Sequence, residues 1–341
     1  MGKGSPSLAS VAKAAGVSRM TASRALRDAY GIAPTTRERV RAAAARLGYR
    51  SNPTLSRVMT SLRRGRGTFY APSIAYINFW PDRPPFSGNE DLALLHDGAR
   101  RRAEELGARF EVLSMLRPKL SGARAAAILR ARGIDALIFG PPAEGQTTTD
   151  LDPEGFAVAA LGAGLQTPRL NRVLSDQSGI MRLALAQARR RGYRRIGFCA
   201  PEHYDARTNH HFFSRYAYYA TYEADPADAV PALRLPELTP AAVSAWIKRH
   251  RIEAVLAPYD LTAELRGLGW TIPEQLGFIL LNRMPRHRCS GVDQRYSHAS
   301  GASVDLALMG LWSGEFGVPA TSRGLLVEPL WCEGDSLRPV P

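Results

Sequence analysis

The feature that most constrains this chain is a pair of short helical patterns within residues 8–27, separated by one glycine. In the first pattern, apolar residues fill the i, i+3, i+4, i+7 positions of one helix face: Leu8, Val11, Ala12 and Ala15. Gly16 suits the positive φ of a tight turn, and Ser18 supplies a side-chain cap for a second helix. Two short helices joined in this way predict a helix-turn-helix, whose second helix enters the DNA major groove. A solvated helical hairpin inside a larger domain is the alternative.

The net charge of +14 is concentrated at the same end of the chain. Residues 1–66 hold 14 Lys or Arg against two acidic residues, Asp28 and Glu38. The rest of the chain is close to neutral. Binding of a polyanion by this one segment explains the asymmetry through phosphate neutralisation and counterion release, whereas a generally basic surface does not.

Cysteine usage and hydropathy narrow the class of protein further. Cys199, Cys289 and Cys332 are far apart and form no CxxC pair, which argues against a disulfide framework and against a zinc cluster. The N-terminal residues lack the apolar region of a signal peptide, and no apolar stretch of about 18 residues occurs. We therefore expect a cytoplasmic protein with no membrane partner.

The residues after the helical pair extend the same small domain. Thr35 and Glu38 have the Thr-x-x-Glu spacing of a capping box. The apolar stripe then returns at Val40, Ala43, Ala44 and Leu47. These patterns predict a three-helix headpiece within residues 1–50. A hinge and linker segment is expected at residues 51–72, where Asn52 and Pro53 suit the N-cap and first position of another helix.

From residue 73 onward, short apolar runs alternate with amphipathic helical patterns. Strands are predicted at 74–80, 110–115, 135–140, 156–162, 172–176, 195–200 and 253–258. Helices are predicted at 92–107, 125–133, 180–192 and 241–250. This alternation predicts parallel sheets with helices on both faces, and the length of the segment favours two α/β lobes with a cleft.

Several of these segments together resemble the lactose/galactose repressor (LacI-type) family of bacterial transcription regulators. The resemblance is carried by residues 11–18 (VAKAAGVS), 21–26 (TASRAL), 36–40 (TRERV) and 47–53 (LGYRSNP). It is weaker in the rest of the chain, where residues 190–201 and 292–294 are similar to the family's helix-to-strand passage and to its crossover into the first lobe.

The resemblance implies a small all-α headpiece joined to a two-lobed core like that of periplasmic sugar-binding proteins. It places lobe one at about 73–177 and 293–320, and lobe two at about 178–292 and 321–341. The implied function is a homodimeric, sequence-specific regulator, by family default a repressor, that binds double-stranded operator DNA. A sugar or related metabolite is the usual effector, and no enzymatic activity, cofactor or metal is expected.

The family's pattern assigns the DNA contacts to the start of the second helix. Arg19 can pair with a guanine, and Met20 can contact a thymine methyl group. The expected DNA-contacting residues of the headpiece are Ser18, Arg19, Met20, Thr21, Ser23 and Arg24. Solvated charges on an exposed helix are the alternative for Arg19 and Arg24.

The hinge beginning at Asn52 is expected to form a minor-groove helix that inserts an apolar wedge between base steps. The family's spacing places a Leu six residues after this Asn, and Val58 occupies that position here. Met59 follows it, and Leu62 comes later. We favour the Val58–Met59 pair as the wedge over Leu62. A linker helix that packs on its twofold mate without wedging is the alternative.

The effector cleft is expected where strands end in the two lobes. The candidate effector-binding residues are Asn78, Trp80, Phe86, Arg207, Asp260 and Gln294. Arginine, carboxylate and a stacking aromatic suit a polyhydroxylated ligand.

The chain also departs from the family, because Tyr259 replaces an Asn and residues 277–283 (GFILLNR) replace the usual turn. These departures imply an unusual ligand or a pocket that has lost its sugar.

Other functions are less well supported by the sequence. The spacing of His203, Asp205, His210 and His211 matches no standard metal site, and residues 161–168 lack the third glycine of a dinucleotide fingerprint. The main alternative is a two-lobed sugar-sensing or enzymatic module whose basic headpiece anchors it non-specifically to DNA. A third interpretation is a DNA-binding regulator that is controlled by a protein partner and binds no small ligand.

Overall fold

The computed structural model describes residues 8–26, 32–47, 71–81, 84, 86, 88–116 and 120–340. Two compact units divide the chain, with the second beginning at Ala71. No helix in these ranges is long and apolar enough to span a membrane.

The headpiece contains three helices: α1 (Leu8–Ala15), α2 (Arg19–Leu26) and α3 (Pro34–Leu47). Gly16 has a φ of +64°, and the backbone N–H of Thr21 donates to Ser18 Oγ at 3.0 Å, so turn and cap are as predicted. A small core joins the three helices through Val11, Ala12, Ala15, Ala22, Ala25, Val40, Ala43 and Ala44.

The start of α3 differs from the expected capping box. The helix begins at Pro34, and the N–H of Arg37 donates to the carbonyl of Ala33 at 3.0 Å. Ala33 is therefore the N-cap and Thr35 the second helical residue. The reason is that proline is preorganised for the first helical position and has no N–H to satisfy there.

The first lobe is built on a six-stranded sheet in which every pair is parallel. Its strands are β1 (Ser73–Asn78), β2 (Arg109–Ser114), β3 (Ala136–Phe139), β4 (Ala157–Leu161), β5 (Arg172–Ser175) and β11 (Gly324–Val327), in the spatial order β11-β5-β4-β3-β1-β2. Helices α4 (Glu90–Glu105), α5 (Gly122–Ala131) and α11 (Tyr296–Ser313) cover it. The central strands β1, β3 and β4 are buried on both faces, which explains their largely apolar sequences, whereas the edge strands β2 and β11 are partly exposed.

The second lobe has a six-stranded sheet of order β12-β10-β9-β8-β6-β7. Its strands are β6 (Ile196–Pro201), β7 (Leu233–Leu235), β8 (Ala254–Ala257), β9 (Gly277–Leu280), β10 (Gly291–Asp293) and β12 (Leu330–Cys332), and β12 alone among these runs antiparallel to its neighbour. The helices of this part of the chain are α6 (Gln177–Arg190), α7 (Glu202–Arg207), α8 (His211–Tyr218), a π-helical turn (Tyr219–Glu223), α9 (Pro240–His250) and α10 (Thr262–Gly267). The predicted fold class, a helical headpiece and two parallel-sheet lobes, is confirmed.

The chain passes between the two lobes three times: after β5, at Gln294, and between β11 and β12. The third passage lies later than the boundary near residue 320 that the sequence suggests. Residues 324–327 pair with β5 in the first sheet, because parallel pairing with Arg172–Ser175 completes the edge of that sheet.

Candidate nucleic-acid interface and interlobe cleft

Helix α2 buries its two alanines and exposes three of its long side chains, Arg19, Met20 and Arg24. Ala22 and Ala25 are fully buried, whereas Met20 is 72% exposed. Ser18, Arg19 and Arg24 are exposed and Thr21 is half-buried. Ser23 lies in the same helix. The expected hinge residues Asn52, Val58, Met59 and Leu62 lie outside the described residues.

A cleft lies between the two lobes, at the carboxyl ends of their strands. Such strand ends are where α/β sheets hold ligands, because the connecting loops diverge there. Three candidate effector residues line it: Trp80, Arg207 and Gln294. The other polar residues that line it are Asn89, Asp91, Ser175, Gln177 and Tyr296. The cleft encloses about 840 Å³, including the part open to solvent.

Gln294 connects the second crossover to both lobes. Its side-chain Nε2 donates to the carbonyl of Leu281 at 2.9 Å and to the hydroxyl of Tyr204 at 3.4 Å. The backbone carbonyl of Gln294 accepts from Ser175 Oγ at 3.3 Å. Burial raises the pKa of Tyr204 to about 12, so the hydroxyl stays protonated. The guanidinium of Arg207 lies over the Tyr204 ring, 5.3 Å from its centroid.

Trp80 forms part of the first-lobe wall of the cleft, and three hydrogen bonds fix its position. Its indole Nε1 donates to the carbonyl of Pro141 at 3.0 Å. Asn78 accepts from the N–H of Trp80 at 3.1 Å and donates to its carbonyl at 2.9 Å. Asn78 is 2% exposed and does not line the cleft. It positions Trp80 because its amide satisfies the backbone of the turn.

Phe86 and Asp260 also lie away from the cleft lining. Phe86 is 1% exposed, and its ring packs against His96 with 5.5 Å between centroids. Asp260 Oδ1 accepts from the N–H and the hydroxyl of Thr262, at 2.9 and 2.7 Å, in a turn directly before α10. An Asp side chain that bonds to the backbone two residues later explains an Asp at this position without a ligand.

Asp91 is a cleft residue that the sequence does not reveal. It lies in the first turn of α4, where an acidic residue is common because it favours the helix dipole. Its Oδ2 accepts from Asn282 Nδ2 at 3.2 Å, across the cleft. Burial raises the pKa of Asp91, while the hydrogen bond from Asn282 and the charge of Arg207 act in the opposite direction.

The neighbouring residue Glu90 makes a second contact between the lobes, an ion pair with Arg286. A third contact between the lobes is longer, with 4.0 Å between His203 Nδ1 and Glu144 Oε1. The first turn of α4 therefore lines the cleft and also contacts the segment that follows β9.

Residues 7–52 match the family model described as bacterial regulatory proteins, lacI family. The headpiece is a LacI-family helix-turn-helix domain. A curated relative, the HTH-type transcriptional regulator GntR of Pseudomonas aeruginosa, is 42% identical over 76 residues. That match spans 22% of this chain and 22% of the relative.

The whole chain also shares the fold of solved LacI-family structures. A CelR–cellobiose complex matches with a TM-score of 0.55 and 20% identity, over 97% of this chain and 99% of the other. A Lac repressor bound to ONPG matches with a TM-score of 0.58 and 20% identity, over the same shares of the two chains. The trehalose repressor of Escherichia coli has a TM-score of 0.54 and 15% identity, over 77% of this chain and 100% of its own.

Two histidines near the cleft, His203 and His210, have partners among protein side chains. His210 Nδ1 lies 2.7 Å from the buried carboxylate of Asp205, and Arg234 Nε lies 3.5 Å from the same oxygen. His203 Nε2 lies 3.1 Å from the hydroxyl of Tyr259. Within the described ranges, no three His, Cys, Asp or Glu side chains are grouped as a metal site requires.

Proposed function

We propose that the chain is a sequence-specific transcription regulator, by family default a repressor, that binds a palindromic operator as a homodimer in the cytoplasm. The observation that carries this proposal is the outward face of α2, where Arg19 and Met20 are free to enter a major groove. The excess of basic residues in the same segment supports it, because phosphate contacts supply much of DNA affinity.

Residues 1–50 are the proposed DNA-binding headpiece and residues 51–72 the hinge that follows it. A hinge that starts at Asn52 and inserts Val58 and Met59 at the operator centre favours a flexible pyrimidine–purine step there. Twofold symmetry of the dimer then requires two inverted half-sites around that step.

The interlobe cleft is the proposed site of a small-molecule effector, a sugar or sugar derivative. Arg207 supplies hydrogen-bond donors beside Gln294, and Trp80 supplies an aromatic wall, as polyhydroxylated ligands need. Because its lining comes from both lobes, a ligand contacts both lobes at once. It therefore binds one relative arrangement of the lobes more tightly than another. That difference is the free energy available to change operator affinity, and no chemical step is required.

A salt-dependent selection from a randomised DNA pool tests the DNA half of the proposal. Enrichment of a palindrome with a central pyrimidine–purine step supports it. Weak binding that vanishes with salt and enriches no site favours instead a two-lobed sensing or enzymatic module with a non-specific DNA anchor. A thermal-shift screen against sugars tests the effector half, and a regulator that answers to a protein partner gives no shift.

A further inference from the structure

The cleft contains one formal positive charge and one formal negative charge, contributed by different lobes. Arg207 follows the second-lobe strand β6, and Asp91 belongs to the first-lobe helix α4. Among the described residues that line the cleft, no other side chain carries a formal charge. The net charge that a ligand meets is therefore close to zero.

The Asp91 carboxylate has capacity left for a ligand. One oxygen accepts from Asn282, as described above, and the second has no hydrogen bond from another described residue. A carboxylate accepts only, so what it can hold in addition is a donor such as a hydroxyl group.

Arg207 offers the complementary chemistry from the other lobe. Its guanidinium carbon lies over the Tyr204 ring, 5.3 Å from the centroid, and a guanidinium carries five N–H groups in its plane. These groups donate only. A hydroxyl can donate to Asp91 while its oxygen accepts from Arg207, and neighbouring hydroxyls of one ring can bridge the two charges.

We infer that Asp91 contacts the effector directly and makes the cleft selective for neutral polyhydroxylated molecules over acidic ones. An acidic ligand gains attraction to Arg207 but brings a second negative charge beside Asp91 in a partly desolvated site. Like charges placed together in such a site repel, and the ligand carboxylate also loses hydration, so the acidic molecule binds less tightly than its neutral counterpart. This inference rests on the proposed effector function of the cleft.

The test uses the full-length protein and matched aldose–aldonate pairs: glucose with gluconate, galactose with galactonate, and cellobiose with cellobionate. Thermal shift finds the pair that binds, and calorimetry gives both dissociation constants. Wild type is expected to bind the neutral member at least tenfold more tightly than its aldonate. Asp91→Asn is expected to reduce this preference at least tenfold or to reverse it.

Two further variants distinguish the effect of the Asp91 charge from the effect of the contact between the lobes. Asp97→Asn removes an exposed carboxylate from the same helix outside the cleft, and its preference is expected to equal that of wild type. Asn282→Ala removes the contact across the cleft but keeps the Asp91 charge, so the preference for the neutral member is expected to persist.

Equal or tighter binding of the aldonate by wild type overturns the inference, as does an unchanged preference in Asp91→Asn. Either result leaves the effector function of the cleft intact. Absence of binding by every neutral and acidic probe overturns both the inference and the polyhydroxylated effector. The DNA selection remains a separate measurement in each case.

Discussion

Asn282 donates a hydrogen bond of 3.2 Å to Asp91, a residue 191 positions earlier in the chain and in the other lobe. The adjacent residue Glu90 pairs with Arg286, four positions after Asn282. One helical turn of the first lobe thus holds the segment after β9 by two neighbouring polar contacts. Contacts of this kind exist when the lobes are together and are lost when the lobes separate.

The Glu90–Arg286 pair is expected to affect ligand binding more than stability. Arg286 is 62% exposed, and exposed ion pairs contribute at most about 1 kcal/mol to folding. Glu90→Gln should therefore change the unfolding free energy little but weaken binding of the sugar found in the thermal-shift screen, by about threefold to fivefold. Glu104→Gln breaks a pair within α4 and serves as the control. A large loss of stability with unchanged affinity would contradict this role.

Substitutions on α2 are expected to change DNA recognition without unfolding the headpiece. Arg19→Ala should reduce affinity for the selected operator by about 1–3 kcal/mol and remove discrimination at one base pair, since a bidentate guanine contact is lost. Met20 is 72% exposed, so Met20→Ala should leave the thermal stability unchanged and relax preference for thymine at one position. Competition binding with single-base operator variants measures both. Arg39→Ala, an exposed change on α3, should lower affinity without altering base preference.

His96 is expected to make the first lobe sensitive to acid. Its ring lies among Tyr76, Phe86 and Phe110, with centroids 6.1, 5.5 and 5.6 Å away. Burial lowers the pKa of His96, although its hydrogen bond to Asp97 acts in the opposite direction. A folded-state pKa below the unfolded value of 6.5 means that unfolding takes up a proton. Stability should then fall as the pH drops below about 6.5.

Unfolding titrations at pH 7.5 and 5.5 measure this contribution. Wild type should lose more stability between the two pH values than His96→Gln does, by at most about 1.4 kcal/mol, because pH 5.5 lies only one unit below the unfolded pKa of 6.5. His298→Gln replaces an exposed histidine and should behave as wild type. An equal loss in wild type and His96→Gln would exclude His96 as the source.

Gly197 in β6 is expected to tolerate no side chain. A Cβ at this position would overlap the ring of Trp246 and lie 2.8 Å from Ile252 Cδ1. Trp246 is held in place by a 3.1 Å hydrogen bond from its Nε1 to the carbonyl of Pro231. Gly197→Ala should therefore destabilise the second lobe by about 1–3 kcal/mol. Gly267→Ala meets no atom within 4 Å and is the matched control in chemical denaturation. Equal stability of the two variants would refute the packing argument.

The secondary structure that the sequence revealed is the part with clear periodicity. Helices α1, α2 and α4 have polar and apolar faces, and strands such as β3 and β8 are bounded apolar runs. Helix α11 was missed because Ala299, Val304, Leu308 and their neighbours are buried on most sides, so no polar face marks the helix. The strand β9 lies within residues 277–283, where the family resemblance suggests a replaced turn, although its apolar run is as long as those of β3 and β8.

The cleft was only partly predictable from sequence. Trp80, Arg207 and Gln294 follow strand ends or crossovers. At such places, the position of a residue in the sequence indicates where it lies in the fold. Asp91 owes its place in the cleft to its contact with Asn282, and no local pattern connects residues so far apart. Asp260 and Asn78 have polar side chains at strand ends too, yet their oxygens are used by Thr262 and by the backbone of Trp80.

The position of β11 has a consequence for synthesis of the chain on the ribosome. The first sheet lacks its edge strand until residue 327 has been made, and α11, which packs on the same sheet, ends at Ser313. The headpiece, in contrast, draws its three helices from one continuous stretch and can fold as soon as that stretch emerges. Domains fold as units during synthesis. A nascent chain should therefore carry a finished basic domain long before either lobe is complete.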